Sequence, residues 1–208
     1  QERTGAADED IRVSCRVFTK RGCERIIRKA FQYAKDTGRN KVCVVHKANV
    51  IRSTDGLFLE TARAVAEDYP GVEWWHENID ATAMWLMKRP ESYSVIVSSN
   101  MFGDIISDLS AQLVGGLGFA YSGNIGDDYA VFEPTHGSAP KYGGQYKVNP
   151  MAMILSVKLM LDWLGEKEMA SALESAVAGV IKEGKVRTYD MGGSNSSIEV
   201  AEAVALRL

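Results

Sequence analysis

Two aspartates four residues apart, Asp104 and Asp108, stand in Asn100-Met-Phe-Gly-Asp104-Ile-Ile-Ser-Asp108, directly after a strand-like apolar run. If a helix begins at about Phe102, the two lie one turn apart on one face. Unpaired carboxylates that close repel by about 1 kcal/mol or more, so a cation or a basic partner normally holds them together. Oxygen ligands with no Cys or His nearby suit Mg²⁺ or Mn²⁺ rather than zinc. Taken alone, such a pair is more often two solvated residues on a helix surface.

Three other places could share in the chemistry. Lys47 follows the apolar run ending at His46, and the carboxyl end of a buried strand is where open α/β sheets place their ligands. Partly desolvated, or beside another cation, a lysine there can take part in proton transfer. The plainer alternative is a lysine that snorkels to water. Asp80 opens a helix after a strand, most simply as an N-cap, although a third carboxylate would complete a hard-cation site with Asp104 and Asp108. The turn Glu133-Pro-Thr-His136-Gly137-Ser138-Ala139-Pro140-Lys141-Tyr142 is built of small and polar residues, which lets backbone N–H groups approach a phosphate. It is not G-x-G-x-x-G, and so not a Rossmann phosphate loop. His136 either meets an adenosine or braces its own loop. Lys141 beside a phenol suits the 2′-phosphate of NADP, where a carboxylate would suit the ribose hydroxyls of NAD; otherwise it is a surface lysine.

The elements that must position these residues alternate between strand and helix. Ile11 to Thr19 reads as a strand. Thr19 caps a helix over about Gly22 to Asp36, with Ile26, Ile27, Ala30, Phe31 and Ala34 inward and Gly38 as the stop. Lys41 to His46 reads as a buried strand. A helix starting at Ser53 or Thr54 ends before Pro70. Val72 to Ile79 and Tyr93 to Ser98 read as strands separated by a helix over Ala81 to Lys88. From Gly115 to Gly144 glycine-rich turns surround one short strand, Tyr129 to Glu133, as a binding surface would. Asn149 caps and Pro150 opens a helix that is apolar nearly all round, hence buried. Two further helices, ending at Gly184 and Leu208, complete an α/β pattern.

Composition narrows the function. A net charge of −3 offers nucleic acid no electrostatic footprint, and no basic run suggests a membrane surface. Cys15, Cys23 and Cys43 are odd in number and lack CxxC spacing, which reads as reduced thiols in a cytoplasmic protein.

As an ordered set, His46-Lys-Ala-Asn-Val50, Thr54-Asp-Gly-Leu-Phe58, Asp80, Asn100 to Asp108, Gly115-Gly-Leu-Gly118, Gly123-Asn-Ile-Gly126 and Phe132 to Pro150 resemble the metal-dependent β-decarboxylating dehydrogenases of isocitrate, homoisocitrate and 3-isopropylmalate. The resemblance implies an α/β fold of the isocitrate/isopropylmalate dehydrogenase type, a mixed sheet flanked by helices with its N-terminal part missing. Residues 1–100 would be mostly the small, dimerisation domain, and 101–208 the C-terminal part of the large, dinucleotide-binding domain. It implies metal ligation by Asp104 and Asp108, with Asp80 contributed across the interface of a homodimer. Lys47, also from the partner subunit, would move the proton of the substrate hydroxyl, with Asn49 beside it at the substrate. The dinucleotide loop would be His136, Gly137, Ser138, Ala139, Pro140, Lys141 and Tyr142, together with Asn149. Lys141, Tyr142, Val148 and Tyr189 match NADP-dependent isocitrate dehydrogenases, whereas NAD enzymes of the family usually carry Asp in place of Lys141. The arginine expected shortly after Tyr189 is absent, and Met191-Gly-Gly-Ser stands there.

The implied reaction is oxidation and decarboxylation of isocitrate to 2-oxoglutarate with NADP, homoisocitrate or 3-isopropylmalate being alternative substrates. A non-catalytic regulatory subunit would be expected to have lost the carboxylates. The family's front, with its substrate arginines and a catalytic tyrosine, has no counterpart here, so the chain reads as the C-terminal part of a longer enzyme. The purified 208-residue chain is therefore expected to show no isocitrate dehydrogenase turnover, which a steady-state assay checks.

Overall fold

The computed structural model describes residues 11–208, and the polar start, 1–10, lies outside them. The apolar run Lys41–His46 forms β1, the middle strand of a three-stranded parallel sheet with β2 (Glu73–Asn78) and β3 (Val95–Ser98) on either side. Val42 and Val44 enter the core shared with helices α1 (Lys20–Asp36) and α2 (Thr54–Ala66). Cys43 and Val45 point to the other face and are equally inaccessible. Burial on both faces is why this strand reads as a continuous apolar run. The register sets His46 beside Asn78 and Val45 beside Ser98. The strands therefore end nearly level, and the residues that follow them, Lys47, Asp80 and Asn100, emerge along one edge of the sheet.

Thr19 Oγ1 accepts the Gly22 N–H at 3.1 Å and starts α1, and Gly38 (φ +67°) follows its end. Ile27, Ala30, Phe31 and Ala34 are buried, but Ile26, expected inward with them, is 47% exposed. It lies about 100° round the helix from Ile27 and so leaves the stripe. The expected strand over Ile11 to Thr19 does not form: the segment has no paired strand, and Val13 and Val17 face solvent. It is anchored through a side chain instead. The Arg16 guanidinium donates to Ser99 Oγ at 3.3 Å and stacks on Phe18 and Phe102 at 5.1 and 5.2 Å.

Helix α3 (Ile79–Lys88) has Asn78 at its N-cap position, so Asp80 lies inside the first turn and is not the cap. Helix α4 (Asn100–Leu113) begins two residues before Phe102 and carries both aspartates. The cysteines are free, Cys23 and Cys43 buried and Cys15 exposed. No helix among the described residues is long and apolar enough to cross a membrane.

The described residues divide into two compact units, the boundary falling between Ile106 and Ser107. In the second, the glycine-rich stretch holds two strands, not one: β4 (Tyr121–Ile125) pairs antiparallel with β5 (Ala130–Pro134). Gly123 disguises β4 as a turn, yet a Cβ there would come within 3.1 Å of Phe132 and Leu159; glycine marks a close approach rather than a bend. Helix α5 (Met151–Leu164) packs with α6 (Lys167–Glu183) and α7 (Ser197–Ala205) around Met151, Val177, Val180 and Val200. The expectation that α5 is buried all round is corrected, since Met153 and Leu164 are more than half exposed.

The turn after β1 fixes Lys47. Its backbone N–H donates to Asp55 Oδ2 at 2.7 Å, from a carboxylate only 1% exposed in the first turn of α2. The next N–H, of Ala48, donates to His46 Nδ1 at 3.0 Å. A ring nitrogen that accepts leaves the neutral proton on Nε2, which then donates to His76 Nδ1 at 3.0 Å. Burial, helped by His76, lowers the pKa of His46. Asp55→Ala should cost about 1–3 kcal/mol of stability in urea unfolding, because it orphans a buried N–H. His46 contributes stability while neutral. Below about pH 6.5 the unfolded chain binds a proton that the folded chain resists, so stability is lost as pH falls toward the lowered folded value. Urea midpoints at pH 7.5 and 5.5 should differ in that direction, and His46→Asn, which keeps an acceptor, should flatten the difference.

Candidate active site

At the sheet edge the Lys47 ammonium forms an ion pair with the Asp80 carboxylate. Lys47 is the more sheltered partner, with 23% of its side chain exposed against 68% for Asp80. Its neighbour is thus an anion and not a second cation. The hydrogen bond from Lys47, assisted by backbone N–H groups, lowers the pKa of Asp80. Asn49 is exposed beside this pair in sequence. Asp104 and Asp108 project from α4, both exposed, and the Asn100 amide reaches the two oxygens of Asp104 at 3.3 and 3.4 Å. Among the described residues no three His, Cys, Asp or Glu side chains converge as a metal group. Asp80 is paired with Lys47, and Asp104 and Asp108 stand one turn apart on α4.

The second unit contains a cavity of about 580 Å³. His136, Gly137, Ser138, Ala139, Tyr142, Val148, Asn149 and Tyr189 all line it. Pro140 and Lys141 lie in the short turn Pro140–Tyr142 outside its wall, with the Lys141 ammonium 4.8 Å over the Tyr142 ring. His136 Nδ1 donates to the Gly137 carbonyl at 2.9 Å, so this histidine does brace its loop. The neutral ring then leaves Nε2 as an acceptor.

The wall also includes Gly115 to Gly118, from the glycine-rich stretch already read as a binding surface, and Gln112 and Asp190, to which sequence reasoning gave no role. Asn149 explains their presence. Its amide donates to Asp190 Oδ2 at 3.0 Å while its oxygen accepts the Met151 N–H at 3.0 Å, starting α5. A Cβ on Gly118 would stand 2.7 Å from Asp190 and 2.9 Å from Asn149, so only glycine fits there. The signal for Asp190 was its own place two residues after Thr188, whose hydroxyl it holds, but its partner lies 41 residues away. At the rim the Tyr142 and Tyr189 rings lie 5.9 Å apart, and the Lys147 ammonium sits 5.0 Å over Tyr189 and 5.6 Å over Tyr142. A hydrogen bond from Tyr189, with Lys141 nearby, lowers the pKa of Tyr142, while donating it raises that of Tyr189.

Residues 1–205 match the profile of the family described as isocitrate/isopropylmalate dehydrogenase. The chain is 48% identical over 197 residues to homoisocitrate dehydrogenase of Methanocaldococcus jannaschii, covering 95% of this chain and 56% of that protein. It is also 48% identical to 3-isopropylmalate dehydrogenase of Archaeoglobus fulgidus, over 94% of this chain and 60% of that one. Among solved structures, isocitrate dehydrogenase from Methylococcus capsulatus superposes with a TM-score of 0.91 at 44% identity, over 94% of this chain and 58% of that chain. The chain thus spans less than two thirds of the length of these relatives. Its fold, ordered motifs and similarity agree: the chain belongs to the isocitrate/isopropylmalate dehydrogenase family.

Proposed function

We propose that this chain is part of a metal-dependent β-decarboxylating dehydrogenase that oxidises isocitrate to 2-oxoglutarate with reduction of NADP. The observation that carries the reading is the cavity of the second unit, where the dinucleotide-loop residues meet a phenol pair overlaid by lysines. A cavity of that size, with polar groups at its rim, suits the adenosine end of a dinucleotide. His136 Nε2, left as an acceptor, suits the exocyclic amine of adenine. Lys141 and the two phenols suit the 2′-phosphate that distinguishes NADP.

The carboxylates fit a hard cation by their chemistry: two oxygen ligands one turn apart on α4, exposed, with no Cys or His on that helix. Asp104 and Asp108 would hold Mg²⁺ or Mn²⁺ in one copy of a homodimer, and Asp80 of a second copy would supply the third carboxylate. When bound, the metal supplies Lewis-acid stabilisation of negative charge on the substrate 2-oxygen, and NADP supplies the hydride acceptor. Lys47 would arrive with Asp80, because the two are paired; after its ammonium has given up a proton to solvent, the neutral amine would take the proton of the substrate hydroxyl as the adjacent carbon loses hydride. Release of the β-carboxylate as CO₂ then leaves an enolate, and a proton delivered to the carbon that carried that carboxylate gives the 2-oxo acid. Asp55 and His46 keep the turn that carries Lys47 from shifting, since proton transfer depends on a fixed heavy-atom distance.

Asp104→Asn in the intact enzyme should weaken Mn²⁺ activation by at least roughly tenfold, the lower end of what loss of an outer-shell partner costs. Unchanged metal dependence would remove Asp104 from the site. The shared site has a sharper test. Lys47→Ala and Asp104→Asn should each be inactive as homodimers, while their mixed dimers rebuild one of two sites and recover about a quarter of wild-type activity from a random mixture. No recovery on mixing would mean that each subunit supplies its own lysine. Steady-state kinetics with isocitrate, homoisocitrate and 3-isopropylmalate ranks the competing substrates.

A further inference from the structure

The arginine expected after Tyr189 is replaced by Gly192-Gly193, and the backbone explains why no side chain can return there. Gly192 adopts φ +74°, a conformation that side chains rarely tolerate. A Cβ on Gly193 would lie 2.1 Å from the Arg187 carbonyl oxygen, which already accepts the Asn195 N–H at 2.9 Å. A cation at this rim must therefore come from another segment.

Lys147 meets that need. Its ammonium lies over both phenol rings of the Tyr142–Tyr189 pair. Among the described residues it forms no ion pair, and the nearby carboxylates are engaged elsewhere: Asp190 by Asn149 and Thr188, Glu199 by Ser196 and Asn195. Its backbone is held on both sides by one residue of α7. The Ser197 N–H donates to the Tyr146 carbonyl at 2.7 Å, and the Ser197 hydroxyl donates to the Val148 carbonyl. Tyr146 takes the left-handed conformation, φ +49°, that sends the chain back across the rings; a non-glycine residue there signals a position imposed by its surroundings.

We propose that Lys147 supplies the second cation that, together with Lys141, clamps the 2′-phosphate of NADP against the Tyr142–Tyr189 pair, with Ser197 as its positioning residue. The assignment rests on the NADP reading above. Two ammonium groups against a phosphate dianion, one from each side of the Tyr142 ring's neighbourhood in sequence, replace the planar fork of an arginine with two point charges.

Calorimetric titration of the intact enzyme with 2′,5′-ADP and with 5′-AMP tests this without turnover. The wild type should bind 2′,5′-ADP the more tightly. In Lys147→Gln the ratio of the two affinities should fall about tenfold, the loss of one charge-assisted contact, and Lys147→Arg should keep most of it. Ser197→Ala should lower the ratio in the same sense but less. A Lys147→Gln chain that keeps the wild-type ratio overturns the role of Lys147 and leaves the NADP reading intact. A wild-type chain that binds 2′,5′-ADP no better than 5′-AMP removes the NADP reading and this proposal with it.

Discussion

Parallel pairing of β2-β1-β3 is the constraint on which the first unit's chemistry depends. Parallel strands must all deliver their carboxyl ends to one edge, so segments far apart in sequence, at Lys47, Asp80 and Asn100, leave the sheet side by side. Among the described residues β1 alone of the three has neighbours on both sides; α2 connects it to β2, and α3 lies on the connection from β2 to β3. That is the arrangement in which α/β sheets open a crevice for ligands. The sheet can keep such an edge only while β1 stays buried on both faces, which is why its interior residues are Val42, Cys43, Val44 and Val45. Polar groups begin where the strand stops, and each finds a buried partner: Lys47 N–H on Asp55, Ala48 N–H on His46.

Elements governed by local periodicity were legible. The apolar run of β1, the capped stripe of α1 and the aspartate spacing on α4 depend on residues within a few positions of one another. What was illegible depends on distant partners. Ile11 to Thr19 has strand-like composition but no neighbour to pair with. β4 carries turn-like Ser122-Gly-Asn, and its extended form comes from pairing with β5 and from the space Gly123 leaves for Phe132 and Leu159. Met153 and Leu164 look like core because they are apolar, although the described chain leaves that face of α5 uncovered.

The candidate site divides in the same way. Residue types and spacing were enough to single out Lys47, Asp80, Asp104 and Asp108 and the loop from His136 to Tyr142. They could not reveal what holds those residues in place. Asp55 lay inside a motif with no role attached, and its function as acceptor for the Lys47 N–H requires the fold of the β1–α2 turn. Asp190 and Gly118 meet Asn149 only through tertiary packing. Lys147 has no distinguishing neighbour in sequence; its position follows from Ser197, half a hundred residues on, gripping the carbonyls on either side of it.

The Lys47–Asp80 pair illustrates how exposure bears on function. A solvent-exposed ion pair contributes little to folding, because water screens it and two side chains must be ordered to form it. Asp80 is mostly exposed, so its pairing does not account for its place on structural grounds. The buried acceptors beside it, Asp55 and His46, do the structural work of the turn. An acid and an ammonium held together at a sheet edge, outside the core, can face something outside the chain. Asp104 and Asp108 are exposed in the same way on α4. In the proposed homodimer, one copy would bring the two carboxylates of α4 and the other the Lys47–Asp80 pair, and two-fold symmetry would present each to the other twice.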